Sequence, residues 1–542
     1  MPTVTYDKQD LLNLVGRKLS DEKLEEIINS IKPNVEKITK NDIVVEHTAD
    51  RPDLFGIEGL ARAIKEYLGI KTKKFSIKKS NVKVKCSKID YRPYIACAVV
   101  RNVKLNDYFI KSLMNIQEVL HETFGKKRKK VAIGIHDFDK IGHSIKYVGM
   151  KPETKIVPLG SRKEMSLKEV LEKNPKGKEY GHLVSSHKLW PIYIDSKGVF
   201  SFPPIINSDR TKVTDKTKNL FVELTGTDKK AVLQTLNIIV SNLAERNCKI
   251  ETVQVSYDGK KEITPVVKEE TMDVSLEDAN KLLGISLNEK KIVELLGKMG
   301  YDAKAGKNKI TVNVPFYRSD ILHPVDIIED IAIAYGYNNF EPELPKVATI
   351  GKAHETEKLS SRIRNLITGL GFQEISRYVL TNTEKQFEKM RNKKEDVIEL
   401  ENPVSKEYSC MRKYLLPGFM EFIFSNMHHD YPQKIFEIGD VVRLDSKSEV
   451  GARNERKLCC SISDTKVSYE DISSVLDSFM KTFGISYMLK AVDHPSFIEG
   501  RSAEILVNGK EVGIVGEINP HVLTNWKIEM PVAAFEISVD EF

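Results

Sequence analysis

Ile43-Val44-Val45, Arg51-Pro52-Asp53 and Glu58-Gly59-Leu60-Ala61-Arg62-Ala63 read in order as a short strand, a turn and a helix. The same order returns late in the chain. Ile310, Val312 and Val314 alternate as a half-buried strand that Pro315 stops. Arg318-Ser319-Asp320 follows, and then a helix from about Asp326 to Tyr335. A further helix precedes each triplet. The first opens at Ser20 and carries Leu24, Ile27, Ile28 and Ile31 at helical spacing. The second is expected to open at Ser286, where Ser286-Leu287-Asn288-Glu289 has the form of a capping box, and carries Ile292, Val293, Leu295 and Leu296. Ser20 and Ser286 stand 266 residues apart, and Arg51 and Arg318 stand 267 apart. Two landmarks at nearly one offset predict a duplicated small α+β unit. Chance likeness of two helix–strand–helix stretches is the alternative.

A different pattern lies between the copies. Val82, Val84 and Cys86 alternate, Tyr94 to Val100 is a strand candidate, and a helix runs from about Ile110 to Phe124. Val131 to His136 reads as a strand, and Tyr193-Ile194-Asp195 and Val199 to Phe202 flank a turn as a hairpin. Phe221 to Thr225 is a strand running into a long helix through Leu243. Beyond Pro345 the pattern changes again: an amphipathic helix spans Leu359 to Leu370, and strands such as Ala503 to Val507 end in an Asn508-Gly509 turn. The expected organisation is a multidomain α+β chain with modules at 1–82, 83–262, 265–345 and 350–542.

A length of 542 residues agrees with this at about 150 residues per domain. Hydrophobic residues at 41% and charged residues at 30% support ordinary cores and exclude wholesale disorder. Lys and Arg total 84 against 77 Asp and Glu, a net +7 that excludes a polybasic protein but not a local basic face. Six cysteines without a C-x-x-C pair predict reduced, buried thiols. The first residues carry no apolar signal core, and no apolar run approaches the ~20 residues that cross a bilayer, so a cytoplasmic protein is expected.

Three constellations stand out. Asp326, Glu329 and Asp330 share one helix face, and Asp320 lies just upstream; such hard oxygen ligands suit Mg²⁺, while acidic residues in a first turn also simply favour the helix dipole. Lys126, Lys127, Arg128, Lys129 and Lys130 are five consecutive cations, either a solvated loop or a phosphate contact. Glu223 and Thr225 share one face of a strand that leads into a helix, a common ligand corner as well as an ordinary capping position. The sequence has no P-loop, G-x-G-x-x-G or H-E-x-x-H.

Thr48 to Leu54 with Glu58 to Ala63 resembles the N-terminal module of the phenylalanyl-tRNA synthetase β subunit. Ile133 to Asp137, Phe202 to Asn207, Thr225 to Asp228, Asp326 to Ala332 with Tyr335 to Asn338, Gly516 to Pro520 and Pro531 to Glu536 continue the likeness in order along the chain. The length resembles the archaeal/eukaryotic type. The resemblance implies two winged-helix-like modules, an α/β editing domain, and a class II synthetase-like antiparallel-sheet domain without its own active site. Arg412 there echoes a phosphate-binding arginine, whereas the segment Ala533 to Glu536 lacks the glycines and arginine of an ATP site. The implied partners are a catalytic α subunit, in a heterotetramer of two α and two β, and tRNA(Phe). L-phenylalanine and ATP would bind at the partner's site. The implied activity is attachment of L-phenylalanine to tRNA(Phe), with hydrolysis of mischarged Tyr-tRNA(Phe) on this chain. The resemblance also assigns a Mg²⁺ site to Asp320, Asp326, Glu329 and Asp330 and tyrosine recognition to Glu223 and Thr225, with Asn207 and His136 as weaker editing candidates. A non-enzymatic RNA-binding or nucleic-acid regulatory scaffold derived from a synthetase is the rival.

Overall fold

The computed structural model describes residues 2–72, 75–257, 260–345, 347 and 349–540. The chain forms two compact units, residues 1–344 and 345–542.

The first unit contains the duplication. In the first copy a strand, Thr3–Asp7, leads into helices Lys8–Val15 and Asp21–Asn29, and two strands, Asn34–Ile38 and Asp42–Glu46, precede helix Ile57–Tyr67. The second copy repeats this with Glu270–Ser275, Leu276–Leu283, Glu289–Lys298, Asp302–Ala305, Lys309–Val314 and Pro324–Tyr335. Each has a three-stranded antiparallel sheet in which the last strand lies between the other two. The first helix of each ends on a glycine with positive φ, Gly16 at 74° and Gly284 at 70°, a conformation that glycine adopts without steric cost.

Ser20 caps its helix as expected, but the equivalent cap is Asn288, whose side chain accepts from Lys291 N, and not Ser286. The cause is local. Asn280 takes both backbone groups of Leu287, accepting from its N–H at 2.8 Å and donating to its carbonyl at 2.9 Å. That clamp fixes the turn at Leu287, so the chain enters the helix at Asn288.

The triplets are the deepest point of likeness. Arg51 grips Asp53 with two hydrogen bonds of 2.9 Å. Arg318 grips Asp320 in the same fork at 2.9 and 2.7 Å. Arg51, Asp53 and Arg318 are buried, so removal of one partner would strand a charge at a cost of about 3–5 kcal/mol.

Between the copies, an eleven-stranded sheet is built from strands that lie between Ile77 and Thr264. Its first strand, Ile77–Lys78, lies before the boundary expected at 82. Successive positions on Asn219–Gly226 face opposite ways. Leu220, Val222 and Leu224 pack under helices Asp107–Glu122 and Lys229–Glu245, whereas Phe221 joins a second core with Cys97, Tyr147, Tyr193 and Phe200. Glu223 and Thr225 point to that second side. Val131–Asp137 ends the sheet, paired on one side only with Asn219–Gly226.

The second unit is built on a seven-stranded sheet, antiparallel except where Gln373–Glu374 joins Gln433–Leu444. Helices Glu355–Gly369 and Tyr469–Thr482 cover one face, and Leu416–Ser425 and Pro520–Trp526 the other. Asn508 and Gly509 both have positive φ, as a two-residue hairpin turn requires. All six cysteines are free and buried, and among the described residues no helix is long and apolar enough to cross a membrane.

Candidate functional site

A cavity of about 490 Å³ opens at the edge of the larger sheet of the first unit. Helix Asp107–Glu122, strand Val131–Asp137 and the loop from Ser201 to Val213 enclose it. An edge strand exposes unpaired backbone groups, and here side chains take them. His121 Nε2 accepts from Ile133 N at 2.8 Å, Gln117 donates to Ile133 O at 3.1 Å, and Asn207 donates to Ile135 O at 3.3 Å.

The Glu223 carboxylate reaches this cavity and is only 2% exposed. Ser201 Oγ donates to its Oε1 at 2.8 Å. Among the described residues Glu223 Oε2 has no hydrogen-bond partner, and neither has His136 Nε2, which lies 3.8 Å from Oε1. His136 Nδ1 stands 2.9 Å from Thr211 Oγ1, and Thr211 in turn donates to Ser208 O. Glu223 Oε2 is therefore a buried acceptor without a donor, and one hydroxyl or water proton would satisfy it. Gly134 makes this arrangement possible: a Cβ there would collide with Glu223 Oε1 and lie 3.0 Å from His136 Nε2.

Of the four expected editing residues, Glu223 and Asn207 line the cavity, with Asn207 Oδ1 standing 3.3 Å from Ser201 Oγ, while His136 is fully buried behind Glu223. Thr225, on the same strand face as Glu223, does not line the cavity. Its hydroxyl accepts from Arg92 Nε at 2.7 Å, and the Arg92 guanidinium also donates to Thr225 O and Arg128 O. Thr225 thus braces the strand rather than lining the cavity.

The basic run divides. Lys126, Lys127 and Lys129 are exposed, and Lys130 lies 3.4 Å from Asp228. Arg128 is buried, which excludes it as a free phosphate contact. It donates to the carbonyls of Pro204 and Ile205 at 3.2 and 3.0 Å, pairs with Glu118 at 2.8 Å, and lies over the Tyr180 ring. Lys126, Lys127 and Arg128 all have positive φ, each costing roughly 1–2 kcal/mol. The buried fork of Arg128 offsets that strain and ties the turn to the cavity wall. His121, whose Nδ1 lies 3.5 Å from the carboxylate, and Arg128 beside it hold the Glu118 carboxyl down at about 2.

The acidic cluster folds differently from a metal cage. Asp320 and Asp330 are both held by Arg318, and Tyr301 donates to Asp330 as well. Asp326 accepts from Leu322 N and His323 N, capping its own helix, and Glu329 pairs with Lys32. Among the described residues no group of three or more His, Cys, Asp or Glu side chains could hold a metal ion. A guanidinium supplies the positive charge, so the set as folded in this chain does not fit Mg²⁺.

In the second unit Arg412 is buried against Glu437 and donates to the carbonyls of Asp440 and Arg377. Glu536 accepts from Lys457 and from Leu415 N and Leu416 N. These groups are committed to one another and to the backbone.

Sequence reasoning missed Ser201, Gly134, Glu118 and the inward role of Arg128. Alternation would have found Ser201, since Phe200 and Phe202 on either side announce a buried strand whose polar member needs a partner.

Residues 97–259 match the B3/4 domain, residues 272–337 the tRNA synthetase B5 domain, and residues 341–539 the phenylalanyl tRNA synthetase beta chain CLM domain. The cavity lies within the first of these. The phenylalanine–tRNA ligase beta subunit of Methanocaldococcus jannaschii is 43% identical, with 100% of both chains covered. That of Pyrococcus horikoshii is 41% identical over 99% of each chain. The crystal structure of an N-terminal fragment of the Pyrococcus horikoshii phenylalanyl-tRNA synthetase beta subunit superposes with a TM-score of 0.61 at 40% identity, covering 62% of this chain and 100% of the fragment. With such identity sustained from end to end, the chain belongs to the phenylalanine–tRNA ligase beta-subunit family.

Proposed function

We propose that the chain works with a catalytic α subunit, two of each, to attach L-phenylalanine to tRNA(Phe) with ATP, and that its cavity hydrolyses mischarged Tyr-tRNA(Phe). Mg²⁺ is assigned to ATP at the partner's site. The carrying observation for editing is the unfilled acceptor Glu223 Oε2, buried in the wall of the cavity.

A tyrosyl hydroxyl donates a proton where phenylalanine offers only a ring edge. With phenylalanine bound, that acceptor would stay buried and unpaired, at about 1–3 kcal/mol. A synthetic pocket for phenylalanine has no comparable means of rejecting the added hydroxyl, so a second site built to pair it supplies the missing discrimination. Glu223 receives the hydroxyl, Ser201 fixes the carboxylate, and Asn207 and the Pro203 to Ile206 segment shape the wall. The two small α+β copies are read as winged-helix-like modules, and the second unit as a class II-like scaffold.

The test is deacylation of Tyr-tRNA(Phe) by the αβ complex. Glu223→Ala should lower it while phenylalanylation persists. A complex that charges tRNA(Phe) but deacylates equally well without the carboxylate would remove this reading of the cavity. Failure of the pair to charge tRNA(Phe) at all would favour the scaffold rival.

A further inference from the structure

A second and larger depression, about 960 Å³, lies on another side of the same domain. Strand Lys83–Cys86 runs parallel to Ile145–Met150, with Lys85 directly beside Lys146. Val84, Ile145 and Tyr147 turn inward and are buried, so Lys83, Lys85 and Lys146 all stand on the outer face. Lys79 adds a fourth ammonium to the same rim.

Like charges directly opposite on neighbouring strands are destabilising. Here the strands are roughly 5 Å apart, and Lys83 and Lys85 are about 7 Å apart along one strand. Among the described residues none of the four lysines forms an ion pair with a carboxylate. The two acids in the depression are already engaged: Glu251 pairs with Arg101 at 3.0 Å, and Asp139 accepts from Asn219. An excess of unpaired cations arranged in rows is complementary to a repeating polyanion more than to a single phosphate.

We propose that this groove binds the sugar-phosphate backbone of the tRNA whose 3′ end is edited in the neighbouring cavity. The inference rests on the function proposed above. Two observations favour RNA over an anionic lipid surface. No large hydrophobic residue of the groove is exposed, so the apolar insertion that anchors a membrane-surface protein is missing. The groove also joins the cavity through one element: Ile133 and Ile135 of Val131–Asp137 line the cavity, and Phe138 and Asp139, which follow it, line the groove.

The test measures tRNA(Phe) binding by the αβ complex across a salt series. Each phosphate that no longer meets a lysine should reduce the slope of log K against log[salt] by roughly 0.7–0.9. Lys83→Ala/Lys85→Ala/Lys146→Ala should therefore flatten it by about 2–3, and the corresponding triple arginine variant should keep it. Neither triple should lower the melting temperature, because both leave the buried face intact. An unchanged slope in the alanine triple overturns the proposal. So does lysine-dependent binding to vesicles of phosphatidylserine and phosphatidylcholine without any effect on tRNA. An unchanged slope in a complex that still charges tRNA(Phe) removes the groove alone. A complex with no tRNA affinity or charging removes both the groove and the function on which it rests.

Discussion

Gly134→Ala tests the cavity through a single methyl group. The added Cβ would collide with Glu223 Oε1 and stand 2.8 Å from its carboxyl carbon, well inside contact distance. The backbone need not change, since alanine is at ease in a strand. The carboxylate must therefore move, and its 2.8 Å hydrogen bond from Ser201 breaks. A hydrogen bond to a charged group contributes about 1.5–3 kcal/mol. If the tyrosyl hydroxyl meets a displaced acceptor, the transition state for deacylation loses a similar amount, roughly ten- to a hundredfold in kcat/KM. Phenylalanylation should persist within about twofold. Stability supplies an independent readout. Gly134→Ala should lower the unfolding free energy by about 1–3 kcal/mol. Glu223→Ala should be less destabilising in the Gly134→Ala background than alone, because it removes the clashing group. The assay is steady-state deacylation of Tyr-tRNA(Phe) beside a denaturation cycle of the four variants. Full deacylation by Gly134→Ala, with additive stabilities, would refute the geometry.

Other consequences rest on the same side chains. Arg128→Ala should lower deacylation by about tenfold or more, and Arg128→Lys should not restore it, since a single ammonium cannot replace the fork across Pro204 O, Ile205 O and Glu118. Rescue by lysine would instead mark Arg128 as a phosphate contact. Burial pushes His47 down to about 4, with Asp53 raising it and Arg51 lowering it. Its folded pKa lies below the unfolded value of about 6.5, so its neutral form is fully compatible with folding above that pH and stability falls as pH drops toward 4. The loss should reach up to about 3 kcal/mol, and His47→Gln should flatten that part of the pH–stability curve. Because Arg318 neutralises Asp320 and Asp330, chelation should leave the melting temperature of the β chain unchanged, and Arg318→Ala should cost about 3–5 kcal/mol. A fall in melting temperature on chelation alone would return a metal to that cluster.

The repeat was legible because strand alternation and helix spacing are local, and because Arg51-Pro52-Asp53 returns as Arg318-Ser319-Asp320. What local pattern could not supply was competition for the same backbone groups: Asn280 reaches forward to Leu287 and displaces the helix start from Ser286 to Asn288. The candidate site was legible to the same extent. Glu223 and Thr225 share a strand face, as alternation predicts, yet one meets Ser201 and the other Arg92, partners 22 and 133 residues away in sequence. The five basic residues look alike as a run, but positive φ at Lys126, Lys127 and Arg128 turns Arg128 inward, away from its exposed neighbours. The acidic cluster shows the same limit. Helical spacing puts Asp326, Glu329 and Asp330 on one face, but the helix N-terminus, Lys32 and Arg318 each claim one of them first.

The most direct test of the central claim compares hydrolysis of Tyr-tRNA(Phe) and Phe-tRNA(Phe) by the αβ complex, with and without the Glu223 carboxylate. The wild-type complex should deacylate the tyrosyl ester selectively. Glu223→Ala should lose that hydrolysis by at least about tenfold, the scale set by one hydrogen bond to a charged group, while charging tRNA(Phe) with phenylalanine at the normal rate. Undiminished, tyrosine-selective deacylation by a fully active Glu223→Ala complex would contradict the account.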